Sequence, residues 1–157
     1  IDLAEKLKYR RDIGFLFVGR GSEANRLAEE SRKRSLDNIE FKDEIHPDEI
    51  PALYAQCSAG IVSLDQRHKS HNIPGKFISY MQSGIPVFAV INRGNDLAKI
   101  IRAEEVGVVS EDSDVNDLEI KAQELISQIN SDVYFSSRCR VVYEKFYSPN
   151  YQVQKNR

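Results

Sequence analysis

Short apolar runs and amphipathic stretches alternate along this chain about five times, an order that few folds accept. Ile13-Gly14-Phe15-Leu16-Phe17-Val18 is almost wholly apolar and ends at Gly19-Arg20-Gly21, which suits a strand covered on both faces of a parallel sheet. A helix follows, with Ser22 as its cap, Ala24, Leu27 and Ala28 as its apolar stripe and Glu23, Arg26, Glu29, Glu30, Arg32, Lys33 and Arg34 in water. Asn38 to Phe41 reads as a brief strand. After a polar turn, Pro47 opens a helix that carries Ile50, Leu53, Tyr54 and Cys57 inward. The pattern then repeats. Ala59 to Leu64 is a strand, Lys76 to Gln82 a helix closed by Gly84, Pro86 to Val90 a strand, Asn95 to Ala103 a helix and Gly107 to Val109 a last short strand. Two helices finish the chain, one burying Leu118, Ala122, Leu125, Ile126 and Ile129, the other Phe135, Cys139, Val142 and Phe146. The expected fold is α/β, a Rossmann-like parallel sheet with helices on both faces and right-handed crossovers.

Size and charge fit one ordinary domain. A chain of 157 residues, 41% hydrophobic and 29% charged, hides roughly 68–70% of its unfolded surface, enough for a core without disulfides or a structural metal. Cys57 and Cys139 lie in apolar-periodic segments with no metal-ligand spacing between them, and read as small core residues of a reduced, cytoplasmic protein. Lys plus Arg total 22 against 24 for Asp plus Glu, which argues against nucleic acid as the main partner. No apolar run approaches the ~18 residues of a membrane span. Ile1, Ala4 and Leu7 already read as a helix in mid-pattern, so the chain looks like a piece of something longer. No internal repeat or linker interrupts it. A domain over 1–147 and a polar tail over 148–157 are expected.

In an open α/β sheet, ligands gather at the carboxyl ends of strands, where helix N-termini present free N–H groups. Three loops qualify. In Val18-Gly19-Arg20-Gly21-Ser22 the glycines let backbone approach an anion and Arg20 adds charge, or else the turn simply needs positive φ. It lacks the third glycine of a dinucleotide fingerprint, and no Gly-Lys-Ser/Thr phosphate loop is present. In Asp43-Glu44-Ile45-His46, Ile45 offers an apolar wall to a flat base, or the segment is a solvated acidic turn with His46 as a helix-entry residue. The third loop, Asp65 to Lys76, carries Arg67, His68, Lys69, His71 and Lys76 into a helix, which is what an anion site requires; a solvated basic loop is the plain alternative. Pro74 and Gly75 suit that helix start. Beside His68 and His71 the loop offers one carboxylate, Asp65, and no cysteine, and two histidines do not make a metal site here, so none is expected.

Ser79-Tyr80-Met81-Gln82-Ser83-Gly84-Ile85-Pro86-Val87, together with Val18 to Ser22 and the step from Leu53 to Leu64, resembles the carboxy-terminal half of GT-B glycosyltransferases of the large retaining family, glycosyl transferases group 1. The likeness runs from about Phe15 to Tyr147 and looks closest to the O-antigen and capsule subgroup of fucosamine-transferase type. It implies a donor-binding half, its first strand missing, that holds a nucleoside diphosphate sugar as substrate and needs no cofactor. Gly19, Arg20 and Gly21 would line the donor cleft and Ile45 would touch the base. Asn72, Ile73, Pro74 and Gly75 would hold diphosphate and sugar through backbone amides, with Lys76 and His71 as the charged groups at the reacting phosphate. The family's two glutamates fall at His71 and Ser79, so both carboxylates are absent and Ser79 is left to meet a ribose hydroxyl.

The resemblance implies a transferase, hexosyl or amino-sugar, that acts on a saccharide or lipid-linked acceptor in cell-surface polysaccharide synthesis. The acceptor would be held by the missing half, so the fragment alone should not turn over. The cytoplasm is the expected location, with peripheral contact at the inner face of the membrane where the acceptor is lipid-linked. Two other readings stand beside it. One is a sugar-nucleotide epimerase of the same architecture, and the other a non-catalytic nucleotide-sugar binding module.

Overall fold

A computed structural model describes residues 1–65, 67 and 72–149. The chain divides into two compact units, Ile1–Ile50 and Pro51–Arg157.

In the first unit, α1 (Asp2–Lys6) precedes β1 (Phe15–Val18), α2 (Ala24–Lys33) and β2 (Ile39–Lys42). The two strands run parallel, with Phe15 opposite Ile39 and Val18 opposite Lys42. β1 is shorter than the apolar run, and it is not covered on both faces: Leu16 is 38% and Phe17 36% exposed. Among the described residues its only ladder partner is β2. Ser22 does not cap α2, which starts two residues later behind Glu23; that carboxylate turns aside to Arg26. His46 caps a 3-10 turn, Pro47–Glu49, and exchanges hydrogen bonds with Glu49 across it.

The second unit begins with α3 (Ile50–Tyr54 by its hydrogen bonds), then β3 (Gly60–Ser63), α4 (Gly75–Ser83), β4 (Val87–Val90), α5 (Asp96–Ala103), β5 (Gly107–Ser110), α6 (Val115–Ser131) and α7 (Phe135–Phe146). The expected inward helix from Ile50 to Cys57 is one short turn with no buried residue, and Cys57 lies beyond it. All three strands are parallel, in the order β3-β4-β5. Parallel strands were expected in one sheet; among the described residues they form two separate ladders.

β4 is the central strand and is buried along Val87, Phe88 and Ala89. Phe77 and Met81 from α4, Leu97, Ala98 and Ile101 from α5 and Cys139 and Val142 from α7 close the core around it. α4 packs directly on α7. Gly84 ends α4 at φ 71, a left-handed conformation that costs glycine little, and Ile85 N–H reaches back to Tyr80 O. Gly107 meets a different limit, because a Cβ there would stand 2.0 Å from the Val87 carbonyl oxygen of the neighbouring strand. Where α5 ends, Glu105 takes φ 52 and its carbonyl accepts two hydrogen bonds from the Arg138 guanidinium, at 3.1 and 3.0 Å. α6 and α7 bury the faces their periodicity assigns, led by Ala122, Leu125, Phe135, Cys139 and Val142.

Candidate functional site

The candidate residues divide between the two units. In the first, the turn after β1 holds Gly19 at φ 129, a conformation that L side chains rarely adopt, with its N–H bonded to Lys42 O at 3.1 Å. A Cβ at Gly19 or Gly21 would meet nothing within 4 Å, so the backbone of this turn is open to approach. Arg20 is exposed and pairs with Glu44 at 3.5 Å, which brings the turns after β1 and β2 together. Ile45 beside it is half-buried. The sequence reading missed Glu44 as Arg20's partner; only the parallel pairing of β1 with β2 sets the two strand ends side by side. His46 has the plain helix-entry role.

In the second unit, the basic loop is less basic than its composition suggests. Arg67 is bound by Asp65 through hydrogen bonds of 3.0 and 2.6 Å, and that carboxylate holds the guanidinium more firmly protonated than usual. Asp65 two residues upstream was the signal for this pair. His68, Lys69 and His71 lie outside the described residues. Lys76 is exposed in the first turn of α4 and forms no ion pair among the described residues.

α4 starts differently from the other helices that follow strands in this unit. α5 is capped by Asn95, whose Oδ1 accepts from Leu97 N–H at 2.9 Å, and α6 by Asp114, which accepts from Asn116 and Asp117 N–H at 3.0 and 3.1 Å. At α4 the cap position is Pro74, which offers no side-chain acceptor, so the Gly75 and Lys76 N–H groups have no side-chain cap. A Cβ on Gly75 would meet nothing within 4 Å. The helix start therefore combines free amides, the positive end of the helix dipole, a lysine and open space, which are the elements of an anion site. Ile73 and Pro74 are half-buried behind it, and Asn72 is exposed. Ser79 is half-occupied: its hydroxyl donates to Gly75 O one turn back, at 3.1 Å, and keeps its lone pairs for a ligand donor.

Two cavities lie elsewhere and include none of these residues. One of about 440 Å³ borders Arg10, Asp12, Asn38 and Glu40 at the start of β1 and β2, and one of about 580 Å³ borders Tyr54, Cys57, Gly84 and Arg140 at the far end of α4. Among the described residues no group of His, Cys, Asp or Glu is placed to hold a metal ion, and no helix is long and apolar enough to cross a membrane.

No curated protein matches the sequence. Among solved structures the chain is similar to WaaG, a glycosyltransferase involved in lipopolysaccharide biosynthesis, with a TM-score of 0.70 at 15% identity. The likeness covers 99% of this chain and 40% of that one, and it bears out the α/β architecture of half a GT-B enzyme. The family described as Glycosyl transferases group 1 matches residues 1–128, most of the length, and this chain belongs to it.

Proposed function

We propose that the chain is the donor-binding part of a glycosyltransferase that takes a sugar from a nucleoside diphosphate sugar and passes it to a saccharide or lipid-linked acceptor in cell-surface polysaccharide synthesis. The uncapped start of α4 carries this reading, because it sets free amides and Lys76 at one open point where diphosphate charge can be met. Family membership supplies the sugar-transfer chemistry. The sequence resemblance assigns the donor cleft to Gly19, Arg20 and Gly21 and the base contact to Ile45; within the first unit Arg20 is exposed and paired with Glu44, and Ile45 is half-buried.

Charge accumulates on the leaving diphosphate as the bond to the sugar breaks, so fixed amide dipoles and an ammonium group aimed there stabilise the transition state more than the ground state. Lys76 and the Gly75 amide have that role here. His71 is proposed to hydrogen-bond the sugar or diphosphate, and Ser79 a ribose hydroxyl. The acceptor is held by chain beyond these 157 residues, consistent with a likeness that spans 40% of WaaG, so this chain alone binds donor without turnover. An O-antigen or capsule enzyme at the inner face of the membrane is the setting that the sequence resemblance favours.

Calorimetric titration with uridine and guanosine diphosphates tests the proposal. Binding of either one, weakened about tenfold or more in Lys76→Ala with the fold intact, is the expected result. A folded protein that binds neither at millimolar nucleotide, or binds with affinity indifferent to Lys76→Ala, overturns it.

A further inference from the structure

Away from the start of α4, one arginine lacks what its counterparts have. Nine arginines of the described residues pair with a carboxylate, and Arg32 donates to Ala28 O at 3.4 Å. Arg140, on α7, has no acceptor among the described residues. A guanidinium presents its N–H donors as a planar fork, which meets a carboxylate or a phosphate through two parallel hydrogen bonds.

Packing sets the place of this fork. α4 and α7 lie against each other, and Gly84 at the end of α4 is the surface on which the Arg140 side chain rests. A Cβ on Gly84 would stand 2.9 Å from Arg140 Nε and Cζ and 2.6 Å from Ser136 Oγ, so any side chain there would displace the guanidinium. The cation is not required as a cap. Met81 O and Tyr80 O already accept from the Gly84 and Ile85 N–H groups.

Arg140 borders the cavity of about 580 Å³ at this end of α4, a volume within the rough range of 300–1,000 Å³ for small-molecule sites. It carries the only formal charge among the described lining residues, because no Asp, Glu or Lys reaches the cavity. Gln82 and Ser136 add polar side chains, while the Tyr54 ring and Ile85 supply apolar wall. The cavity of the first unit is different in this respect, since Arg10 is met there by Asp12 at 2.7 Å and Arg11 by Asp37 at 3.6 Å. α4 runs from Gly75 to Ser83, about 13 Å of helix, so a small ligand at Arg140 does not reach Lys76.

We propose that this cavity is a second ligand site, for a small organic anion. Its ligand is a carboxylate or phosphate monoester on an apolar ring or chain, with the charged end on the Arg140 fork and the body against Tyr54 and Ile85.

Cys57 lines the same cavity and reports its occupancy. The test treats the 157-residue chain with iodoacetamide, without nucleotide and at constant ionic strength, in the presence of phenyl phosphate, phenylacetate or inorganic phosphate. An aromatic anion at ten times its dissociation constant should slow alkylation of Cys57 about tenfold and shift the Gly84 and Ser136 amide resonances. The better of the two identifies the charged group, and inorganic phosphate, with no apolar body, should protect several-fold less. Arg140→Gln, with a melting curve like the parent's, should abolish protection. Arg140→Lys should keep part of it, because charge remains without the fork, and Lys76→Ala should keep all of it. Alkylation of Cys57 that neither aromatic anion slows at millimolar concentration overturns the proposal, as does protection that survives Arg140→Gln. Protection lost in Lys76→Ala instead also overturns it, by moving the anion to the other end of α4. A failure of nucleoside diphosphate binding would count against the donor-site reading alone.

Discussion

The ring of Tyr80 lies against Gly60 so closely that a Cβ added to the glycine would stand 2.5 Å from the ring carbons. From that position the Tyr80 hydroxyl donates to Ile61 O at 3.3 Å, a carbonyl that β3 turns away from β4, and its ring meets Tyr54 at 5.1 Å. One residue of α4 thus covers the open side of β3. Gly60→Ala should lower stability by about 1–3 kcal/mol through overpacking, and Tyr80→Phe by about 1 kcal/mol through the lost hydrogen bond. Urea unfolding of the single variants and of Gly60→Ala in a Tyr80→Leu background checks this. An alanine at position 60 that costs the same in both backgrounds would show that the ring is not the obstacle.

Gly75 and Gly84 bracket α4 and should respond in opposite ways to alanine. At Gly75 the new methyl group enters open space, so stability should stay within about 0.5 kcal/mol while nucleoside diphosphate affinity falls several-fold, because the methyl occupies the approach to the amides. At Gly84, with φ 71 and Ser136 Oγ 2.6 Å from the new Cβ, stability should fall by about 1 kcal/mol or more. Thermal melts and titration of both variants report the two effects separately. A Gly75→Ala protein that binds nucleotide as the parent does would remove α4 from the site.

The two thiols should differ in reactivity. Burial pushes Cys139 up to about 12 and raises Cys57 less, so neither is a ready thiolate at neutral pH. At pH 8 a colourless aromatic disulfide reagent should modify Cys57 first and reach Cys139 only as the protein unfolds. Equal rates for the two in the folded protein would contradict the complete burial of Cys139 in the core.

Acid should weaken the second unit at a defined point. The hydrogen bond from Arg102, at 2.8 Å, holds the Glu111 carboxyl below its usual range, and Arg138 does the same to Asp132. A depressed carboxyl contributes stability that is complete above the unfolded value, about 4.3 for Glu, and that disappears as pH falls through the folded one. Melting temperature should therefore be flat from pH 7 to about 5 and drop below that. Glu111→Gln should melt lower at pH 7 and lose less on acidification. An acid slope unchanged by the substitution would assign the loss to other carboxylates.

Much of the second unit was legible residue by residue. The stop at Gly84, the span of α4 and the buried faces of α6 and α7 follow from local spacing and from one glycine, and the structure places them within a residue or so. The site was legible as a segment rather than as a set of partners. That Pro74 would leave α4 uncapped can be read from residue type, yet the binding of Arg67 to Asp65 and of Arg20 to Glu44 required coordinates, because a surface cation pairs with whichever carboxylate the fold brings within reach. The same competition displaced Ser22 from its expected cap, since α2 starts behind Glu23 instead.

The amino-acid sequence by itself determined the α/β class, the order of strands and helices and most core faces, because a period of two or 3.6 residues is written into neighbouring side chains. Tertiary structure alone decided which strands pair. β1 reads from sequence as a strand covered on both faces, and among the described residues its ladder nevertheless holds β2 alone, while β3, β4 and β5 form another. Strand pairing depends on backbone hydrogen bonds between segments far apart in the chain, and backbone groups are the same in every residue, so no local pattern encodes which edge finds a partner.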